Sequence, residues 1–124
     1  MAKILIVDDS PTEAHVIEQI LVQDGHEAIK ATSGEDGLAM AISELPNLIV
    51  MDVVMPGMNG FKATRKINRN ASTKSIPIVM VTTKDQDTDM EWGLRQGASK
   101  YMTKPVDPSQ FRDTINTLLK SAAG

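Results

Sequence analysis

Cysteine is absent from this chain of 124 residues, which excludes disulfide bonds and thiolate metal sites. Histidine occurs only twice, so a histidine-rich zinc site is not expected either. Aromatic residues are equally scarce, with two phenylalanines, one tryptophan and one tyrosine, whereas methionine occurs eight times. The core is therefore predicted to be aliphatic and rich in methionine.

Long apolar runs are lacking as well. The first apolar run, Ile4 to Val7, ends in Asp8 and Asp9, so it is too short for the apolar region of a signal sequence. No stretch approaches the roughly 20 apolar residues of a membrane span. We therefore expect a cytoplasmic protein that does not insert into a membrane.

No strong excess of either charge is present. Thirteen basic and 16 acidic residues leave a net charge of −3, and sequence-independent nucleic-acid binding needs a basic surface, so no nucleic-acid partner is expected. Hydrophobic residues make up 41% of the chain and charged residues 23%, which is typical of a folded globular protein. The length predicts a single domain over residues 1–124 that can bury a core unaided.

Three continuous apolar runs predict buried strands of a parallel sheet. They are Ile4–Val7, Leu48–Met51 and Ile78–Val81, and each is short and rich in β-branched residues. Two mixed stretches, Glu27–Thr32 and Ser99–Thr103, read as edge strands. Helical patterns follow each of the five, so the alternation indicates an α/β fold with right-handed crossovers.

The predicted helices carry recognisable start signals. Ser10, Pro11 and Glu13 form a capping box at the start of the first helix. The second helix is expected to bury one face, made of Leu38, Ala41, Ile42 and Leu45. The fourth helix, about Gln86 to Gln96, has few apolar residues and is expected to be the least stable.

Reactive side chains follow four of the five predicted strands. They are Asp8 and Asp9 after the first strand, Asp52 after the third, Thr82 after the fourth and Lys104 after the fifth. In an open parallel sheet, ligands bind at the carboxyl ends of the strands, where these side chains should converge. Carboxylates placed close together repel, and a bound divalent cation removes that penalty. Oxygen ligands beside a lysine and a hydroxyl suit Mg²⁺ and a phosphoryl group.

These motifs resemble the CheY-like receiver domain of two-component response regulators. The resemblance rests on Asp8-Asp9, on Asp52 in Asp-Val-Val-Met-Pro-Gly-Met-Asn-Gly, on Thr82 and on Lys104-Pro105, and it covers the whole chain. It implies a flavodoxin-like doubly wound sheet of five strands in the order 2-1-3-4-5 with five helices. It also implies a phosphoacceptor that catalyses its own phosphorylation and slow dephosphorylation, and not an enzyme acting on a separate substrate.

The resemblance assigns roles to individual residues. Asp52 would accept a phosphoryl group from the phosphohistidine of a histidine kinase. Mg²⁺ would be held by Asp9, by the Asp52 carboxylate and by the Val54 carbonyl, with Asp8 acting through a water. Thr82 would hydrogen-bond the phosphoryl oxygens.

Further roles follow from the same resemblance. Lys104 would pair with the phosphoryl group, and its peptide bond to Pro105 would be cis. Tyr101 matches the switch aromatic, which we expect to lie outward in the unphosphorylated protein and inward once Asp52 is phosphorylated. The alternative is that Tyr101 is simply an exposed residue of an edge strand.

A finer resemblance lies in the fourth helix. The segment from Trp92 to Ala98 is similar to that of single-domain twitching-motility and phototaxis receivers, the PilH type. Trp92 belongs either to an output surface or to partly buried packing. With no output domain after the fifth helix, we expect a monomer that signals by contact with a motility or taxis protein, or that serves as a phosphoryl sink.

Two other classes stay open. A Mg²⁺-dependent aspartyl phosphohydrolase resembling the haloacid-dehalogenase family would need two aspartates two residues apart, whereas Asp8 and Asp9 are adjacent. A flavin-binding flavodoxin-like domain would need a hydroxyl-rich phosphate loop after the first strand. The two aspartates would repel a phosphate at that place.

Overall fold

The computed structural model describes residues 1–123, and the last residue of the predicted domain, Gly124, lies outside the described residues. Strands and helices alternate along the chain. The strands are β1 (Lys3–Val7), β2 (Glu27–Ala31), β3 (Leu48–Met51), β4 (Ile78–Thr82) and β5 (Lys100–Thr103). The helices are α1 (Pro11–Gln23), α2 (Gly34–Glu44), α3 (Gly60–Arg69), α4 (Asp87–Gln96) and α5 (Pro108–Ala123).

All five strands pair in parallel in the order β2-β1-β3-β4-β5. This is the flavodoxin-like topology expected from the sequence, and the prediction is confirmed. Val7 lies beside Met51 and Thr82 beside Thr103 in the register, so neighbouring strands end at nearly the same level. The residues that follow the strands are thereby brought to one edge of the sheet.

The apolar runs serve two cores, one on each face of the sheet. Side chains alternate along a strand, so Leu5 and Val7 of β1 enter one core whereas Ile4 and Ile6 enter the other. The first core lies against α2, α3 and α4, and the second lies against α1 and α5. Burial on both faces explains why the central strands are continuously apolar.

The side-chain cap predicted at the start of α1 is present, but the predicted capping box is incomplete, because the Ser10 N–H donates to Asp8 Oδ1 at 2.9 Å and the Glu13 carboxylate accepts from Lys104 instead. The Ser10 hydroxyl accepts a hydrogen bond from the Glu13 backbone N–H at 3.3 Å, with Pro11 in the first helical position. The Ser33 hydroxyl accepts the Asp36 N–H at 3.0 Å in the same way at the start of α2. These bonds satisfy N–H groups that have no partner within the helix.

The predicted inner face of α2 is wrong in part. Ile42 and Leu45 are 41% and 54% exposed, and the helix is buried instead through Gly34, Gly37 and Ala41. A Cβ atom at Gly37 would lie 2.8 Å from Val7 Cγ1, so α2 lies too close to β1 for larger side chains. The small residues set this face and rotate the two large aliphatic residues outward.

No helix in the described part of the chain is both long enough and apolar enough to cross a membrane.

Candidate functional site

Two aspartates lie buried at the carboxyl ends of the central strands. Asp8 follows β1 and Asp52 follows β3, with exposed fractions of 4% and 7%. The Asp52 backbone N–H donates to the Val7 carbonyl at 2.9 Å, which extends the pairing of β1 and β3 into the site. The position of the two carboxylates is therefore set by the sheet itself.

The Lys104 amine bonds to both aspartates at the ends of these strands. It lies 2.9 Å from Asp8 Oδ2 and 3.2 Å from Asp52 Oδ2, and it also donates to the Glu13 carboxylate. Lys104 follows β5, and its peptide bond to Pro105 is cis, the isomer that the resemblance implies. The structure thus brings together three of the predicted site residues, Asp8, Asp52 and Lys104.

The acidic group contains one residue that the sequence reasoning missed. Asp8, Glu13 and Asp52 each offer a carboxylate oxygen, and these atoms lie within 4.8 Å of one another. The sequence pattern indicates only a capping-box role for Glu13, although the first turn of α1 starts at the same edge of the sheet. Asp9, expected among the metal ligands, is exposed and lies outside this group.

The site perturbs the ionisation of its members. Burial raises the pKa of the Asp8 carboxyl, and hydrogen bonds from Lys104 and from the Ser10 N–H only partly oppose this effect. Burial alone would lower the pKa of Lys104, but hydrogen bonds to Glu13 and Asp8 and the charge of Asp52 raise it above its ordinary value. Lys104 therefore stays cationic among the carboxylates at neutral pH.

The loop after β3 is held close to the acceptor carboxylate. Val53 N–H donates to Asp52 Oδ1 at 2.7 Å, so this oxygen is occupied while Oδ2 faces Lys104. A Cβ atom at Gly60 would lie 2.0 Å from the Asp52 carbonyl oxygen, which excludes any side chain at the start of α3. Val54, whose carbonyl the resemblance assigns to Mg²⁺, is 55% exposed.

Thr82 lies at the end of β4 on the same edge. Its side chain is fully buried, and its hydroxyl accepts the Lys84 backbone N–H at 3.4 Å. This bond connects Thr82 to the loop that leads into α4. A displacement of the hydroxyl would therefore act on that loop directly.

The expected outward position of Tyr101 is wrong for this structure. Tyr101 is only 9% exposed, and its hydroxyl donates to the Lys84 carbonyl at 2.8 Å. Gly93 of α4 makes room for the ring, because a Cβ atom there would lie 2.8 Å from Tyr101 Cδ2. Burial, with the charges of Asp89, Asp52 and Asp85, raises the pKa of Tyr101 to about 12.

Trp92 lies on the solvent side of α4. Its exposed fraction is 48%, and that of Leu94 on the same helix is 51%. Trp92 is therefore accessible at the surface, while about half of it stays buried. Gly93 lies between these two residues and faces the opposite way, towards Tyr101.

The donor set at this edge fits a hard cation. Two buried carboxylates and a third at their margin offer only oxygen, and the raised pKa of the Asp8 carboxyl reflects the energetic penalty of its buried charge. Mg²⁺ takes one or two protein carboxylates and leaves its other positions to water or phosphate oxygens. The arrangement can therefore support phosphoryl chemistry at Asp52 with Lys104 alongside.

The comparisons with known proteins agree with this fold. A family model described as "Response regulator receiver domain" matches residues 4–116. The chain therefore belongs to the response regulator receiver family, which consists in general of signalling proteins and not enzymes. Receiver domains bind Mg²⁺ through an acidic cluster and are partnered by histidine kinases. The phosphohydrolase and flavodoxin classes lose their support.

Within this family, the chain is similar to PilH of Pseudomonas aeruginosa. The two are 54% identical over 119 residues, which cover 96% of this chain and 98% of that protein. Among solved structures, a CheY-like receiver domain protein from Methanospirillum hungatei has a TM-score of 0.91 at 29% identity, covering 99% of this chain and 97% of that one. The chemotaxis protein CheY4 of Vibrio cholerae has a TM-score of 0.88 at 31% identity, covering 95% and 98%.

Proposed function

We propose that Asp52 accepts a phosphoryl group from the phosphohistidine of a histidine kinase, and that the phosphorylated protein signals by contact with another protein. One observation carries this proposal. Asp52 lies at the carboxyl end of β3, and its Oδ2 is 3.2 Å from the Lys104 amine. A buried carboxylate beside a fixed cation is suited to forming an acyl phosphate.

The transfer forms one bond and breaks one bond at phosphorus. A carboxylate oxygen of Asp52 attacks phosphorus, the bond from phosphorus to the histidine nitrogen breaks, and the imidazole keeps the electron pair. The Lys104 ammonium neutralises charge on the arriving oxygens. The Thr82 hydroxyl offers a hydrogen bond to one of them once the acyl phosphate has formed.

Mg²⁺ fits the oxygen donors of this edge. Asp9, the Asp52 carboxylate and the Val54 carbonyl would hold it, with Asp8 acting through a water. When bound, the ion supplies positive charge next to the phosphoryl oxygens. Asp9 does not belong to the group of carboxylates that lie within 4.8 Å of one another, so this role requires its side chain to approach them.

The signal would pass from Thr82 towards α4. The Thr82 hydroxyl is bonded to the Lys84 N–H, and the Lys84 carbonyl accepts the bond from Tyr101. If the hydroxyl moves to donate to a phosphoryl oxygen, this displacement would lengthen or break the first bond and leave the second. Because Tyr101 already lies inward, we propose a shift of the loop and α4 around the ring, not an inward swing of the ring.

The biological setting is proposed from similarity to PilH. We infer a role in motility or taxis for this chain, with a downstream motility or taxis protein as partner. The half-exposed Trp92 and Leu94 offer apolar contact area on α4, which is part of the segment that would move.

Labelling by a small phosphodonor tests the acceptor. The wild-type protein, incubated with acetyl phosphate and Mg²⁺, should gain the mass of one phosphoryl group, and Asp52→Asn should not. Asp113→Asn is the matched control, because Asp113 is an exposed carboxylate on α5. Undiminished labelling of Asp52→Asn would assign the acceptor to another residue.

A further inference from the structure

The solvent face of α3 carries four cations in one stripe. They are Lys62, Arg65, Lys66 and Arg69, all exposed. Spacings of three and four residues place them on the same face of the helix. The ten-residue helix contains no acid, and none of the four cations forms an ion pair with any residue in the range 1–123.

Helix stability does not account for this stripe. Like charges three or four residues apart destabilise a helix. Lys66 and Arg69 are in the last turn, where the helix dipole favours cations, but Lys62 is in the first turn, where it favours anions. The positive charge stands out further because the whole chain carries a net charge of −3.

An apolar wall lies opposite the stripe. A groove of about 550 Å³ runs between α2 and α3, and Leu38 and Ile42 of α2 face the cations across it. Ile42 is 41% exposed, and Leu45, three residues further on, is 54% exposed. Ile42 and Leu45 are the side chains that the close contact of α2 with β1 turns outward, whereas Leu38 is partly buried against the core. The groove therefore combines a basic side with an apolar side.

We propose that this groove binds an acidic amphipathic helix of a partner protein. Acidic residues along one side of that helix would pair with the α3 stripe, and apolar residues beside them would cover Leu38 and Ile42. From Lys62 to Arg69 the stripe is about 10 Å long at 1.5 Å per residue, which matches two turns of a helix. Acidic residues three and four positions apart on the partner helix would be spaced like the cations of α3.

The apolar wall favours a protein helix over other polyanions. Phosphates of a nucleic acid would leave Leu38 and Ile42 uncovered, and the described lining contains no aromatic side chain on which bases could stack. A lipid surface is met by apolar side chains that protrude, whereas these line a concavity.

A titration monitored by NMR tests the proposal. The ¹⁵N-labelled full chain is titrated with a synthetic amphipathic helical peptide of about 15 residues, with glutamates and leucines on adjacent faces. We expect shifts at residues 38–45 and 60–70. Arg65→Glu with Lys66→Glu should weaken binding by about tenfold or more. Ile42→Ser should weaken it by a smaller factor.

Matched controls separate the groove from bulk charge. Lys74→Glu with Lys100→Glu makes the same change in net charge at two exposed sites outside the groove, and it should bind like the wild type. Asp52→Asn should also bind like the wild type, since the groove does not include the acceptor. Failure of the groove to bind the peptide is thereby distinguishable from failure of the proposal that Asp52 accepts a phosphoryl group.

Three results would overturn the proposal. The first is no shift in either helix with the peptide. The second is equal weakening by the two charge-reversal pairs. The third is tighter binding of a DNA duplex or of phosphatidylglycerol vesicles, unaffected by Ile42→Ser, which would make the stripe a general polyanion surface.

Discussion

The Lys104 amine donates to the Glu13 carboxylate as well as to the two aspartates at the strand ends. The Glu13 side chain is 47% exposed and that of Lys104 only 12%, so the glutamate closes over the lysine from the solvent side. A phosphoryl group that arrives at Asp52 must therefore compete with Glu13 for this cation. The competition links the first turn of α1 to the chemistry at β3.

The first prediction concerns this competition. Glu13→Gln should accelerate phosphorylation by acetyl phosphate about two- to fivefold, because it frees Lys104 and removes a negative charge from the approach of an anion. The rate is measured by intact mass spectrometry at fixed Mg²⁺. Glu18→Gln is the control, since Glu18 is on the same helix but pairs with Lys30. An unchanged or slower rate would show that Glu13 does not compete.

The second prediction concerns the metal. Mg²⁺ at about ten times its dissociation constant should raise the melting temperature by about 5 °C, because it binds the folded state. Asp9→Ala should lose this response although Asp9 lies outside the carboxylate group of the structure. Asp113→Ala should keep it. A full response in Asp9→Ala would assign the ion to Asp8, Glu13 and Asp52 alone.

The third prediction uses the only tyrosine of the chain. Tyrosinate absorbance should titrate with a midpoint near 12 in the folded protein, and near 10 in denaturant. The folded pKa is the higher one, so this contribution to the free energy of unfolding is full below pH 10 and is lost as the pH rises towards 12. Lys104, whose pKa is also raised, acts in the same direction.

A variant isolates this contribution. Tyr101→Phe should lose less stability between pH 10 and pH 12 than the wild type, in melts followed by circular dichroism. A midpoint near 10 in the folded wild type would mean that the ring is open to solvent in solution.

The fourth prediction uses the only tryptophan as a reporter of α4. Beryllofluoride with Mg²⁺ should change the fluorescence of the half-exposed Trp92 in the wild type. Thr82→Ala should still be phosphorylated at Asp52 but should show a much smaller change, because the bond between Thr82 and Lys84 is the proposed link. Thr83→Ala is the control, since Thr83 is the exposed neighbour. A full signal in Thr82→Ala would exclude that route.

Much of the fold was predictable because its signals are local. Apolar runs mark the buried strands, and strand order then brings Asp8, Asp52 and Lys104 together whatever the details of packing. The inner face of α2 is not predictable in this way, because the helical spacing of Ile42 does not show whether its face of α2 is buried or exposed. Its direction depends on the contact between Gly37 and Val7, which are distant in sequence.

The site shows the same division. The strand-end residues are predictable from the sequence, whereas Glu13 is not, because it lies in the first turn of α1, where its place in a helix-start motif already accounts for it. The inward position of Tyr101 depends on Gly93 and on the Lys84 carbonyl, both outside β5. An edge-strand pattern contains no information on these neighbours.

The missing side chain at Gly93 limits how α4 can move. A Cβ atom there would touch both Met80 of β4, at 2.7 Å from Sδ, and the ring of Tyr101. The α4 backbone therefore packs on the sheet at Gly93 against the flat ring of Tyr101. Sliding along the ring preserves the contact, whereas lifting away opens a gap at the core. Motion of α4 should therefore be a translation parallel to the plane of the Tyr101 ring.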